Sequence, residues 1–408
     1  MSRLDELIAE LCPDGVAYEK LGRICVSLKK ETLKQESLRD DAEYPVINSG
    51  RDFYGYYTSY NNDGDALCIA SRGEYAGFIT YIDRKFWAGG LCYPYSSKNK
   101  KIIITKFIFY YLKSKEKYIM SSIVARGSIP ALNKIDIEKL SIPVPPLPVQ
   151  EEILRILDKF TELTAELTAE LAKRKQQYQY YRNTLVDFKE GLDKPFQINK
   201  LITELCPNGV KYQPLKNVCE VRSGWGFPNS EQGLTEGELP FYKVSDMNKL
   251  GNGTVMTLAN NYISKDTAKK LGCSPAPAGT IIFPKIGAAI GTNKKRVLST
   301  ISCYDNNVVG LIPNNLIRSK FLFYIMDSIN LMQFADYSGA MPSIRKTTLE
   351  KYKIPVPPLP IQEEIVRILD RFDALCNDLA SGLPAEIEAR KKQYEYYRDK
   401  LLTFKEAV

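Results

Sequence analysis

Apolar residues recur in steps of four and three through residues 150–190. Ile153, Leu157 and Phe160 are followed by Leu167 and Leu171, then by Tyr178, Tyr181, Leu185 and Phe188. Thr164 and Arg174 interrupt the series, but no proline or glycine does. This heptad-like spacing predicts one long helix with an apolar seam. About 40 residues rising ~1.5 Å each give roughly 60 Å. The course returns as Ile365, Leu369, Phe372, Cys376, Leu379, Ile387, Arg390, Tyr394, Tyr397, Leu401 and Phe404, where Gly382 and Pro384 predict a bend or a break. A lone helix with an exposed seam has no reason to stay folded. The two helices are therefore expected to pack together as an antiparallel spacer; the alternative is that each packs on its own neighbouring module.

Elsewhere the pattern shortens. Residues 65–80 (DALCIASRGEYAGFIT) and 280–297 (TIIFPKIGAAIGTNKKRV) each read as strand, glycine turn, strand. Each contains Gly-x-x-x-Gly, as Gly73/Gly77 and Gly287/Gly291, which suits a plain hairpin turn or a loop whose backbone approaches a partner closely. Many short strands and two long helices predict an α+β chain.

The chain also repeats itself. LIAELCPDGVAYEKLGRIC from Leu7 and LITELCPNGVKYQPLKNVC from Leu201 agree at 11 of 19 positions. IEKLSIPVPPLPVQEEILRILDKF from Ile137 and LEKYKIPVPPLPIQEEIVRILDRF from Leu349 agree at 18 of 24. A third pair begins at Ala169 and Ala385. The offsets are 201 − 7 = 194, 349 − 137 = 212 and 385 − 169 = 216. A kept frame thus encloses two divergent inserts, 26–136 and 220–348. The frame is read as doing one job twice and the inserts as doing two different jobs; even drift after duplication would have spread the differences. The expected domains are 1–149, 150–190 (central helix), 191–361 and 362–408 (C-terminal helix), with the two mixed modules related by a pseudo-twofold axis.

In both copies IPVPPLP (142–148 and 354–360) precedes the helix. Its prolines fix an extended path, which reads as a rigid elbow or, alternatively, as a ligand for a proline-binding partner. Gln150-Glu-Glu and Gln362-Glu-Glu then open the helices, with acids in the first turn.

Composition narrows the chemistry. The chain has 408 residues, 44% hydrophobic and 25% charged, as expected of a folded protein of two domains. No apolar run is long enough for a membrane span, and the opening residues lack a signal-peptide core, so a cytoplasmic location is expected. The net charge of +8 permits a nucleic-acid partner without requiring one. There are nine cysteines, no CxxC pair and no histidine, so the cysteines read as buried hydrophobes and no metal site is expected. Lack of histidine excludes Ser-His-Asp and Cys-His catalysis. Phosphate-loop, dinucleotide and Asn-Pro-Pro-Tyr methylation motifs are absent too.

Polar and basic residues gather at four places, two in each copy. Ser71, Arg72, Glu74 and Tyr75 lie at the first glycine turn; Lys285, Asn293, Lys294, Lys295 and Arg296 lie at the second. Ahead of the elbows, Arg126, Ser128 and Lys134 parallel Ser343, Arg345 and Lys346. Arginine suits guanine edges, asparagine suits adenine, and both basic residues hold phosphates.

Two variable segments, each followed by I-P-x-P-P-L-x-x-Q-E-x-I and a long helix, resemble the specificity subunit of type I restriction-modification systems. PFYKVSDM (240–247) and the Tyr-rich course of the helix are also similar to that family. The resemblance covers essentially the whole chain. It implies a non-catalytic DNA-binding subunit whose two target recognition domains each read half of a split double-stranded site. It further implies two methylation subunits carrying S-adenosylmethionine, with restriction subunits carrying ATP- and Mg-dependent activity as an optional addition. Lys243, Ser245 and Asp246 join the DNA-contact candidates on this basis. The helices become docking elements, with Gln150, Arg155, Arg174, Tyr178, Tyr181, Gln362, Arg367, Arg390, Tyr394 and Tyr397 as candidate contacts. The first insert departs from the pattern: the nearest counterpart of Lys243-Val-Ser-Asp246 is Pro45-Val-Ile-Asn-Ser-Gly. The four-residue near-repeat LTAELTAEL (163–171) suggests that helix length sets the half-site gap. Two rivals remain: a scaffold without sequence specificity, and a nucleic-acid enzyme using Asp246 or Asp305 to hold Mg²⁺.

Overall fold

The structure is a computed structural model that describes residues 2–189, 194–377 and 382–407. It divides into two compact units, Met1–Ala165 with Ala389–Val408, and Glu166–Glu388. The division differs from the expected order of module, spacer, module, spacer, because the helices belong to the cores. Val149, Ile153 and Leu157 of the central helix are fully enclosed in the first core. Tyr178, Leu185 and Val186 lie in the second. Residues 190–193 of the expected domain boundary, and Leu379 of the seam, lie outside the described residues.

The first frame block folds as the helix Arg3–Leu11. Ser2 and Asp5 cap it reciprocally: the Asp5 amide donates to Ser2 Oγ at 3.2 Å and the Ser2 amide to Asp5 Oδ2 at 2.9 Å. Strand Ala17–Lys20 follows and pairs antiparallel with Ser141–Val144, the start of the proline elbow. The second copy repeats this with helix Phe196–Leu205 and with Tyr212–Pro214 paired to Lys353–Pro355. The elbow is therefore half strand. In the first unit the chain ends close against this frame: the Val16 amide donates to the Lys405 carbonyl and the Ala407 amide to the Val16 carbonyl, both at 2.9 Å.

The inserts share a topology that their sequences conceal. In the first, strands run Cys25–Ser27, Cys92–Ser97, Ala66–Ala70, Ile79–Ile82 across one sheet, and Gly55–Tyr57, Tyr44–Ile47, Trp87–Ala88 across another. The second has Cys219–Ser223, Val308–Pro313, Ile281–Pro284, Arg296–Leu298, extended by Val255–Met256, and Tyr262–Ile263, Leu239–Tyr242, Cys303–Tyr304. Val46 pairs in parallel with Trp87 just as Phe241 pairs with Cys303. Both glycine turns connect antiparallel strands, as the pattern predicts.

The central helix spans Leu147–Val186, 40 residues, and starts before Gln150. Pro148 is tolerated because the first turn of a helix has no use for its missing N–H. Helix covers Leu359–Asn377 and again Leu383–Leu401. Both pair with the central helix, Tyr397 on Phe160 and Phe372 on Tyr181. The first stack lies within the first unit and the second within the second. No helix among the described residues is long and apolar enough to cross a membrane.

Candidate nucleic-acid interface

Two candidate stretches that are remote in sequence meet in each unit. In the first, the Gly73 amide donates to the Pro130 carbonyl at 2.9 Å and the Leu132 amide to the Ser71 carbonyl at 2.8 Å. Arg72 bridges to Ala131. In the second, the Gly287 amide donates to Pro342 and the Ile344 amide to Lys285, both at 2.8 Å, and Ile286 bridges to Ser343. Gly73 and Gly287 both have positive φ, +93° and +72°, which a side chain would strain. These bonds align the two units residue by residue. Ser71 stands where Lys285 stands, and Leu91 where Asn307 stands, since Ser71 and Lys285 donate their amides to those two carbonyls. The Gly89 amide donates to Ile47 and the Asp305 amide to Tyr242, so Asn48 occupies the place of Lys243 and Gly89 that of Asp305.

Different chemistry sits on this common frame. The first unit exposes Arg72, Glu74, Arg126 and Ser128, while Ser71 is largely buried. Arg51, which the sequence did not single out, lies 5.1 Å above the half-buried Tyr75 ring. Lys134 opens a short helix and pairs with Glu138 at 3.5 Å. In the second unit Lys285 and Ser343 are half-buried, Arg345 pairs with Asp336, and Lys346 pairs with Glu350 at 3.6 Å. Lys243 is half-buried and Ser245 exposed.

Several candidates are internal. Lys295 is 1% exposed. Its ammonium donates to Asn293 Oδ1 at 2.8 Å and to the Ile329 carbonyl at 2.6 Å, and burial pushes it down to about 8. Asn293 is spent on Lys295 and on the Leu331 amide, 2.8 Å away. Arg296 fastens the carbonyls of Asn252, Lys295 and Met247, and Lys294 bonds Asn248. The basic run 294–296 is thus a staple between segments, with Lys294 half-buried. Asp246 is fully buried: its carboxylate accepts the amides of Lys243 at 2.7 Å and Asn260 at 2.9 Å, closing the turn Val244–Asn248. It shapes the loop and is not free to contact a base or a cation.

Among the helix candidates, Gln150 and Gln362 are corrected as docking contacts, because both are fully buried. Gln150 Nε2 donates to Ile102 and Pro145 at 2.8 and 2.7 Å, and its Oε1 accepts from Ile104 at 2.9 Å. Gln362 does the same with Leu316, Pro357 and Arg318. These are locks holding elbow, helix and insert together. Tyr178 is also core, at 7% exposed. Tyr181 and Tyr397 are committed to helix pairing, and Tyr394 is half-buried against the first core. Arg155 and Arg367 stay solvent-facing, each bidentate to the glutamate three residues earlier, Glu152 and Glu364. Arg174 bonds Glu170 at 2.6 Å, and Arg390 bonds Gln393 at 3.2 Å.

A sequence model of the type I restriction modification DNA specificity domain matches residues 13–174 and 207–389. The chain belongs to that family. It is 30% identical over 426 aligned positions to the type I restriction enzyme EcoR124I/EcoR124II specificity subunit of Escherichia coli, covering 99% of this chain and 97% of that one. The fold is that of the S subunit of the M. genitalium type I restriction-modification system, with a TM-score of 0.61 at 17% identity, covering 95% of this chain and 96% of the other. A chain from a structural study of type I complex assembly and conformational transition gives a TM-score of 0.60 at 15% identity, covering 96% and 98%. The two family matches each run from a frame block through an insert into a helix, so this specificity chain carries the domain twice.

Proposed function

We propose that this specificity subunit reads a bipartite double-stranded DNA site, each insert reading one half, and that its helices set the gap and dock two methylation subunits. The observation that carries this reading is the common hydrogen-bonded frame on which the units hold different side chains: Asn48, Ser71 and Leu91 in one, Lys243, Lys285 and Asn307 in the other. A frame kept to within a hydrogen bond, with altered chemistry on top, suits two readers of different sequences. A scaffold without specificity has no use for that contrast. The exposed arginines Arg155 and Arg367, each held by a less exposed glutamate three residues earlier, suit two copies of one partner. In this reading S-adenosylmethionine, ATP and Mg²⁺ belong to the methylation and restriction subunits, and this chain performs no chemical step.

The test uses the purified chain with and without its methylation subunits, on duplex DNA and with labelled S-adenosylmethionine. Sequence-selective binding by the assembly is expected, with methyl transfer only when methylation subunits are present. Methyl transfer by the chain alone, or binding that ignores sequence, would contradict it.

A further inference from the structure

In the second unit, backbone hydrogen bonds bring four segments together at the turn that carries one buried carboxylate. Asp305 follows strand Cys303–Tyr304 and is only 5% exposed. It accepts the Asn307 amide at 3.1 Å and the Asn307 side-chain amide at 3.2 Å. The Asp305 amide donates to the Tyr242 carbonyl, next to Lys243, at 3.0 Å, and the Lys285 amide donates to the Asn307 carbonyl at 2.8 Å. Lys285 Nζ donates to Ser223 Oγ at 3.0 Å, and Lys243 Nζ donates to Gln232 Oε1 at 3.1 Å. Backbone packing holds the cluster: a Cβ added to Gly224 would lie 2.0 Å from the Asp305 carbonyl oxygen, so the Ser223–Trp225 segment is wedged against the Asp305 turn. Burial raises the Asp305 carboxyl, opposed in part by the Asn307 hydrogen bonds and the Lys243 charge, and lowers the Lys285 ammonium, opposed in part by the Asp305 charge.

Each ammonium has three N–H donors. One protein bond apiece leaves donors over at two half-buried, positioned lysines. A lysine serving only as a phosphate tether gains nothing from being desolvated and fixed. Fixed donors discriminate, because a base edge lacking the matching acceptor leaves them unpaired. In the major groove guanine offers two adjacent acceptors, N7 and O6, whereas cytosine presents an amino group and adenine an amino group beside N7.

We propose that Lys243 and Lys285 are the guanine-reading residues of the second unit, and that Asp305 is their positioning residue. This inference rests on the chain being a DNA-sequence reader. In the first unit the equivalent places hold Asn48, Ser71 and Gly89, which carry no charge, so that unit reads a different base there.

The test is selection of bound duplexes from a pool randomised over both half-sites, using the full assembly with its methylation subunits. Lys285→Gln and Lys243→Gln are each expected to lower guanine preference roughly tenfold at one or two neighbouring positions of one half-site. The other half-site stays unchanged, which also shows that the variant is folded and assembled. Lys285→Arg, which retains guanine-matched donors, keeps the preference. Asp305→Asn lowers it at the same positions and Asp305→Glu restores it, an outcome that general destabilisation would not produce. Uniform loss of affinity without a change in preference, changes in both half-sites, or no change at all overturns the assignment. If the unaltered assembly selects no sequence, the DNA-reading function itself fails, and the inference with it.

Discussion

Phe160 lies stacked on Tyr397, ring centroids 5.6 Å apart and planes 22° from parallel. Its counterpart in the repeat is Phe372, stacked on Tyr181 at 5.3 Å and 26°. The offsets, 372 − 160 = 212 and 397 − 181 = 216, are those of the repeated blocks. Each stack thus joins the phenylalanine of one copy to the tyrosine of the other. Reciprocal pairing explains why both rings persist in both copies.

Phe160→Ala and Phe372→Ala should each lower the unfolding free energy by about 2 kcal/mol, below a fully buried phenylalanine because both rings are half-exposed. Denaturant unfolding of the two variants checks this. An effect within ~0.5 kcal/mol of wild type would show that the stacks contribute no pairing energy.

Gln150→Ala and Gln362→Ala strand two carbonyls and one amide each, of which the Pro145 and Pro357 carbonyls are bonded in buried positions and the others in partly buried ones. A cost of about 3 kcal/mol is expected for each. Gln150→Glu should be at least as harmful, since a buried carboxylate cannot donate to the Ile102 and Pro145 carbonyls. Thermal unfolding with both variants tests the lock; wild-type stability in either would refute it.

Much of the frame was legible in the sequence. The repeats, the strand–turn–strand segments, the helices and their mutual pairing follow from spacing and from glycine and proline positions. Less visible was which polar residues face inward. Lys295 and Asp246 read as surface chemistry because burial depends on the segment packed across them: Ile329 and Asn293 for the lysine, Asn260 for the aspartate. Arg51 went unnoticed because the inserts share topology without sharing sequence; the stretch from Pro45 to Gly50 was the nearest counterpart of Lys243–Asp246, and the bonds from Gly89 to Ile47 and from Asp305 to Tyr242 set Asn48 in the place of Lys243.

Lys295 has a pH signature. Below about pH 8 its ammonium is charged in both folded and unfolded chains, and its desolvation opposes folding. Between about 8 and 10.5 the folded chain has released the proton while the unfolded chain still holds it. Stability attributable to this residue therefore rises with pH across that window, by about 3 kcal/mol in all. Unfolding free energies of wild type and Lys295→Met, measured from pH 7.5 to 10, should diverge in favour of wild type as pH rises. Parallel curves would contradict the buried ammonium.

The unit boundary falls at Ala165–Glu166, inside LTAELTAEL. One further Thr-Ala-Glu-Leu inserted there adds about 6 Å of helix, close to two base-pair rises. The recognised gap should lengthen by one or two base pairs with both half-sites unchanged. Selection of bound duplexes by the assembled variant reads this; an unaltered gap would show that helix length does not set the spacing.

The central claim is that each insert reads its own half of a split site. The most direct measurement is genome-wide mapping of methylated bases in cells carrying this subunit with its methylation partners, before and after residues 26–136 are exchanged for the corresponding insert of a relative. One motif of two fixed halves around an unspecified gap is expected, with a change in only one half after the exchange. A contiguous motif, or a change in both halves, would contradict it.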